Sequence, residues 1–337
     1  MEKKSIFIIG AGSSKEYDYP IWKELKPQIE NHLKDALDNG DPASIKAIEW
    51  LGEITDEKTL DEVISDKNKA IRQKPDPSEV EAVIWKAIAS IFSALEKPIL
   101  NGSKIGWIDK FSNSILNSIL AKYDSKDKDW DKKIMAELNA QLGNMYFITF
   151  NYDRILEYKI ITQITEALRN DVSNNNFFDQ LLAPAIEKFF FDKFYHPHGI
   201  INPYANVRDN SKVDFKNRNN SNIAYFGDVK EHHLQFSPGL MASCFDCNED
   251  SGSFGDLKKV NSSPKQIFIL GNSTYGLQNN LKKLPCAAWA ASIDRIVCTS
   301  FNDADQDSYR KIIYEAFGKS IVIDFYKTCD DFINDSI

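Results

Sequence analysis

A β-branched and aromatic run from Ser5 to Ile9 stops abruptly at Gly10-Ala11-Gly12-Ser13-Ser14, after which the spacing turns helical. An apolar segment of strand length closed by small residues reads as strand, tight turn and helix. The same junction returns at Tyr146 to Phe150, which runs into Asn151-Tyr152-Asp153 and a helical stretch with Ile155, Leu156, Ile160 and Ile161. A third short strand at Phe194 to Tyr195 leads into His196-Pro197-His198-Gly199. Strands at Gln266 to Leu270, Ile293 to Thr299 and Ile321 to Phe325, with a helix at Ser308 to Phe317, complete the alternation. Alternating strands and helices predict an α/β fold: a Rossmann-like, mostly parallel sheet flanked by helices, with its ligand site beyond the carboxyl ends of the strands.

Two stretches interrupt that alternation. From about Trp22 to Leu142 apolar residues recur three to four apart, as in Leu25, Ile29, Leu33, Leu37 and in Val80, Val83, Ile84, Ile88, Ile91. Asn39-Gly40, Pro75, Pro77, Pro98 and Asn101-Gly102 divide this stretch into several helices. Residues 202–262 are rich in Asn, Ser, Asp and Gly and show little periodicity, which reads as long loops or a small irregular module. With 337 residues the chain has room for one large or two ordinary domains. Junctions near both ends favour one catalytic domain, residues 1–337, carrying a large all-helical insertion at about 24–143 and a loop-rich one at about 202–262.

Charge and cysteine usage narrow the function. Lys plus Arg number 41 against 49 Asp plus Glu, a formal charge of −8, so the molecule is no polycationic sleeve for phosphate backbones and no direct nucleic-acid binding is expected. The apolar run at Ile6 to Ile9 is too short for a signal-peptide core, and no segment reaches the ~20 apolar residues of a membrane span. Five sparse cysteines suit a reducing cytoplasm better than a disulfide framework. His232-His233 with Cys244-x-x-Cys247 could offer four zinc ligands, but adjacent histidines are awkward around one ion and a second C-x-x-C is missing, so no metal is expected. Serine-hydrolase elbows, Walker loops, zincin motifs and kinase signatures are absent from the sequence.

Each motif alone has an ordinary explanation. Gly10-Ala11-Gly12 can let backbone approach a pyrophosphate, with Ser13, Ser14 and helix N-terminal N–H groups meeting its charge, or it can be only a tight turn. Lys15 stands where the third glycine of the dinucleotide fingerprint belongs. Asn151 and Asp153 can hold a water or a sugar hydroxyl, or merely cap the next helix. His198 can be a general base or a ribose-binding group, whereas His196 reads as an ordinary loop histidine. Phe189-Phe190-Phe191 and the many tyrosines read as core and rim aromatics.

As an ordered set these residues are more specific. Gly10-Ala11-Gly12-x-Ser14 with Pro20, Thr149-x-Asn151-Tyr152-Asp153, His198-Gly199, and Ser300-Phe301 with Asp305 resemble the sirtuin-like domains of bacterial anti-phage defence systems. Those domains are relatives of the sirtuins that hydrolyse NAD rather than deacylate protein. Tyr19-Pro20-x-Trp22-x-Glu24-Leu25 is similar to the continuation of the family's first loop, and Ile293 to Phe301 to its late strand and ribose-binding turn. Cys298 and Thr299 replace the glycine and tyrosine that the family commonly has before the serine. The resemblance covers most of the sheet-forming chain and leaves the two interruptions aside.

The resemblance implies an NAD hydrolase that releases nicotinamide and ADP-ribose, or a cyclic product. The nicotinamide of NAD is a cationic leaving group, so cleavage passes through an oxocarbenium-like ribose that needs orientation and a placed water more than a strong acid. Asn151 would hold that water or the ribose, His198 would bind a ribose hydroxyl and take a proton, and Asp153 would orient the carboxamide. Gly10, Ala11, Gly12, Ser13 and Ser14 would receive the pyrophosphate, with Pro20, Thr149 and Tyr152 alongside. Either Gly271-Asn272-Ser273 or Ser300-Phe301 with Asp305 would take the adenosine. The family further implies a cytoplasmic effector that depletes NAD on activation, a homo-oligomer, and either a separate activator such as a helicase-like ATPase or activation by self-assembly. A non-catalytic NAD or ADP-ribose-binding module and an NAD-dependent deacylase are the alternatives, the latter weakened by the missing C-x-x-C.

Overall fold

The structure, a computed structural model, describes residues 4–38, 41–55, 60, 63–64, 66–67, 79–100, 104–122, 129–171, 178–191, 193–197, 263–300, 302–318 and 320–336. Six parallel strands form its sheet: β1 (Ser5–Ile9), β2 (Met145–Thr149), β3 (Phe194–Tyr195), β4 (Gln266–Leu270), β5 (Arg295–Thr299) and β6 (Val322–Tyr326). Their spatial order is β3-β2-β1-β4-β5-β6, the order of doubly wound dinucleotide-binding sheets. Among the described residues every strand pair is parallel. Because all strands run the same way, the turns after β1, β2, β4 and β5 share one edge. The order reverses between β1 and β4, where such sheets open a crevice.

Side-chain alternation divides the core into two layers. Phe7, Ile9, Phe147, Leu270 and Val297 face one side; Ile6, Ile8, Ile148, Ile267, Ile269, Ile296 and Cys298 face the other. The register sets Phe7 beside both Phe147 and Phe268, with ring centroids 4.9 and 4.5 Å apart and stacked. Phe194 stacks on Phe147 at 5.0 Å, so an aromatic ladder crosses four strands. Cross-strand aromatic pairs of this kind contribute beyond their buried area.

Helices α1 (Trp22–Asp38), α2 (Ala43–Gly52), α3 (Glu79–Leu100), α4 (Trp107–Leu120) and α5 (Trp130–Leu142) lie between β1 and β2. Their apolar stripes, including Leu25, Ile29 and Leu33 of α1 and Ile84, Trp85 and Ile88 of α3, join the layer over the ladder. Pro98 does not end α3; it sits in the last turn, where few residues remain to be disturbed by its lost N–H. The same face receives α6 (Ile155–Asp171), α7 (Ala183–Phe191) and α11 (Cys329–Ser336), while α8 (Thr274–Lys282), α9 (Cys286–Trp289) and α10 (Gln306–Phe317) cover the other. The predicted loop-rich stretch 202–262 lies outside the described residues. No helix among the described residues is long and apolar enough to cross a membrane.

Candidate functional site

Ile9 pairs with Thr149 on one side and Leu270 on the other, so the turns after β1, β2 and β4 meet. The β1 turn continues as a 3₁₀ helix, Ala11–Tyr17. Its glycines are there because Gly271 lies against them. Gly12 N–H donates to the Gly271 carbonyl at 2.8 Å, and a Cβ on Gly10 or Gly12 would stand 2.7–2.9 Å from Asn272 or Gly271. Gly271 itself has φ +63°, and a Cβ there would come within 2.0 Å of the Ser13 nitrogen. The close approach expected for a pyrophosphate is thus made between two turns of the chain. The N–H groups of Gly10, Gly12 and Ser13 are bonded to the carbonyls of Leu270, Gly271 and Gly10, contrary to the expectation that they are open. Ala11 and Gly12 nevertheless face solvent at the edge of the sheet.

Ser13 and Ser14 turn inward. Ser13 Oγ donates to Gly10 O at 2.8 Å, and Ser14 Oγ donates to Asp153 Oδ2 at 3.0 Å. Asn151 Nδ2 bridges Gly10 O at 3.2 Å and Ser14 Oγ at 3.1 Å. Thr149 Oγ1 accepts the Asn151 N–H at 3.2 Å and so fixes the turn. Asn151 Oδ1 is buried without a hydrogen-bond partner. Asp153 Oδ1 accepts the Ile155 N–H at 3.2 Å, so the carboxylate also caps α6. Burial pushes the Asp153 carboxyl up to about 7, against the pull of Ile155 N–H and the Ser14 hydroxyl. Pro20 is buried and Tyr152 half-buried, with the Tyr152 ring 5.3 Å from that of Trp85 on α3.

The β4 and β5 turns are bonded differently. Asn272 Nδ2 donates to Ile8 O and Leu270 O at 3.2 and 3.1 Å, and its Oδ1 accepts from Asn280 at 3.0 Å. Ser273 caps α8 by accepting the Gly276 N–H at 3.0 Å. Thr299 Oγ1 accepts the Gly271 N–H at 2.9 Å, which joins the two turns between which the sequence could not choose. Ser300 Oγ donates to Asn302 O at 2.9 Å. Asp305 is exposed at the start of α10 and makes no side-chain cap. His198 and Phe301 fall outside the described residues, as do His232, His233, Cys244 and Cys247. Among the described residues no three His, Cys, Asp or Glu side chains are grouped to hold a metal ion.

Five residues in the cluster were given no site role by the sequence. Arg154 and Glu96, both wholly buried, form a two-pronged ion pair at 2.8 and 2.6 Å that ties α3 to the Asn-Tyr-Asp turn. His196 is no ordinary loop histidine: its Nε2 pairs with Glu157 Oε1, and the ring lies against the Asn151 backbone. Burial opposes a charge on His196, but Glu157, then a hydrogen bond to the Asn151 backbone and then Asp153 lift its pKa above the ordinary value. Glu157 lies four residues after Asp153, a spacing that stacks the two at the start of one helix. Glu96 carries no comparable signal. Tyr19 adds another buried, unpartnered hydroxyl, and burial, with Glu96 and Asp153 next, raises its phenol well above its usual range.

The helical block also anchors the glycine turn. Trp107 Nε1 donates to Ser13 O at 2.8 Å, and Tyr17 hydroxyl donates to the buried Asp109 at 2.8 Å. Lys159 Nζ reaches the other Asp109 oxygen at 2.8 Å. No protein-family model matches the chain, and no curated protein matches it.

Proposed function

We propose that this chain is an NAD hydrolase that cleaves the nicotinamide–ribose bond to give nicotinamide and ADP-ribose. The observation that carries the reading is the Asn151 amide. Its nitrogen is held by the Gly10 carbonyl and Ser14, while its buried oxygen has no partner, at the strand edge where doubly wound sheets bind nucleotides. A buried acceptor without a donor costs ~1–3 kcal/mol, and a water or a ribose hydroxyl would supply that donor. The sirtuin-like motif order supports the same assignment, with the outward face of Ala11–Gly12 left for the pyrophosphate and His198 for the ribose. The bond that breaks leaves its electron pair on the nicotinamide nitrogen and neutralises the pyridinium, and water closes on the ribose carbon.

By the same resemblance the hydrolase is the effector of an anti-phage defence system, triggered by a separate activator or by assembly of copies of itself. Nicotinamide release from NAD, followed for the chain alone and with its candidate partner, tests this. Release that Asn151→Ala lowers at least ~100-fold is expected; no release in any assembly, or release untouched by Asn151→Ala, overturns it. NAD binding without turnover would point to a regulatory module, and turnover only with an acylated peptide to a deacylase.

A further inference from the structure

The amino end of α4, in the helical block that the resemblance leaves aside, is bonded along the 3₁₀ helix that follows β1. Trp107 Nε1 donates to Ser13 O at 2.8 Å, the Trp107 N–H donates to Glu16 Oε2 at 2.9 Å, and the Tyr17 hydroxyl donates to Asp109 Oδ2 at 2.8 Å. Gly106 permits this approach: a Cβ there would stand 2.6–2.8 Å from the Glu16 and Tyr17 side chains. Trp107 and Asp109 are buried, as is Lys159 of α6, whose Nζ meets the second Asp109 oxygen at 2.8 Å. Asp109 thus joins the 3₁₀ helix to α6. The 3₁₀ helix meets the turn that leads into α6 again at the site, where Ser14 Oγ accepts from Asn151 Nδ2 and donates to Asp153. Resting on the hydrolase reading, we propose that Trp107 and Asp109 are positioning residues: they fix Ser14 against the Asn151 amide and so set the orientation in which that amide meets the ribose or its water.

The donors and acceptors around Asn151 show why Ser14 must be held. Gly10 O can only accept, and Ser14 spends its one hydrogen on Asp153, so both offer lone pairs to Asn151 and draw its nitrogen. The oxygen is left as the free end of the amide. Ser13 O belongs to the peptide bond that enters Ser14, so the indole bond to it restrains the Ser14 backbone. Residues three apart share one face of a 3₁₀ helix, and the Tyr17–Asp109 bond therefore restrains the face that carries Ser14. Without these bonds the Ser14 hydroxyl can drift from Asn151, and the amide is no longer held ready for the reacting group. Such a misplacement slows the chemical step more than it weakens binding of the dinucleotide.

The test is nicotinamide release at saturating and limiting NAD, in whichever assembly the wild type turns it over. Trp107→Phe, which keeps an aromatic ring and removes the indole N–H, should lower kcat ~10-fold or more and leave KM within ~2-fold. Tyr17→Phe removes only the hydroxyl and should act in the same direction. Thermal melts check folding, and should Trp107→Phe fail to fold, Tyr17→Phe decides by the same readings. Since both act through Ser14, either variant combined with Ser14→Ala should be no slower than Ser14→Ala alone, whereas independent roles would multiply the losses. Folded variants with wild-type kcat and only a lowered melting temperature, or losses that multiply with that of Ser14→Ala, overturn the proposal while leaving the hydrolase reading intact. No release by the wild type overturns both.

Discussion

Asn151 and Asn272 occupy matching places on either side of β1. Each stands two residues beyond its strand, and each is buried. Asn272 spends both amide hydrogens on the carbonyls of Ile8 and Leu270 and its oxygen on Asn280, so its bonding is complete. Asn151 spends its hydrogens on Gly10 and Ser14 and leaves its oxygen bare. The contrast extends to their surroundings. Around Asn272 the polar groups bond to main chain and caps, whereas around Asn151 stand Asp153, Glu157, His196 and the Arg154–Glu96 pair. One half of the edge closes the scaffold; the other keeps a buried acceptor without a partner.

The charged half should be the more fragile to loss of a partner. Glu96→Gln removes the anion facing the wholly buried Arg154 guanidinium and should cost ~3–5 kcal/mol, read as a lowered urea midpoint. The next effect is pH-dependent. Asp153 has its carboxyl lifted from 3.8 to about 7 by burial, so the folded state holds a proton that the unfolded state releases. This contribution is fully present below about pH 4 and is lost as pH rises through about 7, with an upper bound near ~4 kcal/mol. Asp153→Asn should therefore gain on the wild type between pH 5 and pH 8 in parallel urea titrations; an unchanged difference would remove the contrast in charge.

On the scaffold half, Asn272→Ala leaves the buried Asn280 amide without its acceptor and should cost ~1–3 kcal/mol. Asn151→Ala should cost less stability, since it also removes a bare oxygen, yet should take nearly all nicotinamide release. Equal losses of stability from the two alanines would break the comparison. The smallest effect is expected at Gly318, whose φ is +66° but whose Cβ would meet nothing within 4 Å. Gly318→Ala should cost only the left-handed backbone preference of ~1–2 kcal/mol, by thermal melt. Gly271→Ala, with the same sign of φ and a backbone nitrogen in the way, should lower the melting temperature further.

Short-range pattern was enough for the sheet. Apolar runs ending in Gly-Ala-Gly, Asn-Tyr-Asp and Gly-Asn-Ser mark strands because burial and turn chemistry act within a few residues. The observed strands differ from the expected ones by only a residue or two at their ends, as where β2 stops at Thr149 and β5 begins at Arg295. The same locality brings Gly10, Ser14, Asn151, Asp153 and Gly271 to one edge once the sheet is parallel. Locality also misled: His196 read as a loop residue because Glu157, which defines it, lies 39 positions away.

The sequence by itself determined a parallel α/β sheet, a helical block after the first strand, and the polar turns that gather at the carboxyl edge. Periodicity and turn residues are local properties, legible without a third dimension. Only the tertiary structure decided that the glycines serve a contact with Gly271, that Asp109 and Glu96 of the helical block reach the turns, and which of two similar asparagines keeps a free oxygen. Those outcomes depend on which distant groups share a desolvated space, and desolvation is a property of the packed chain.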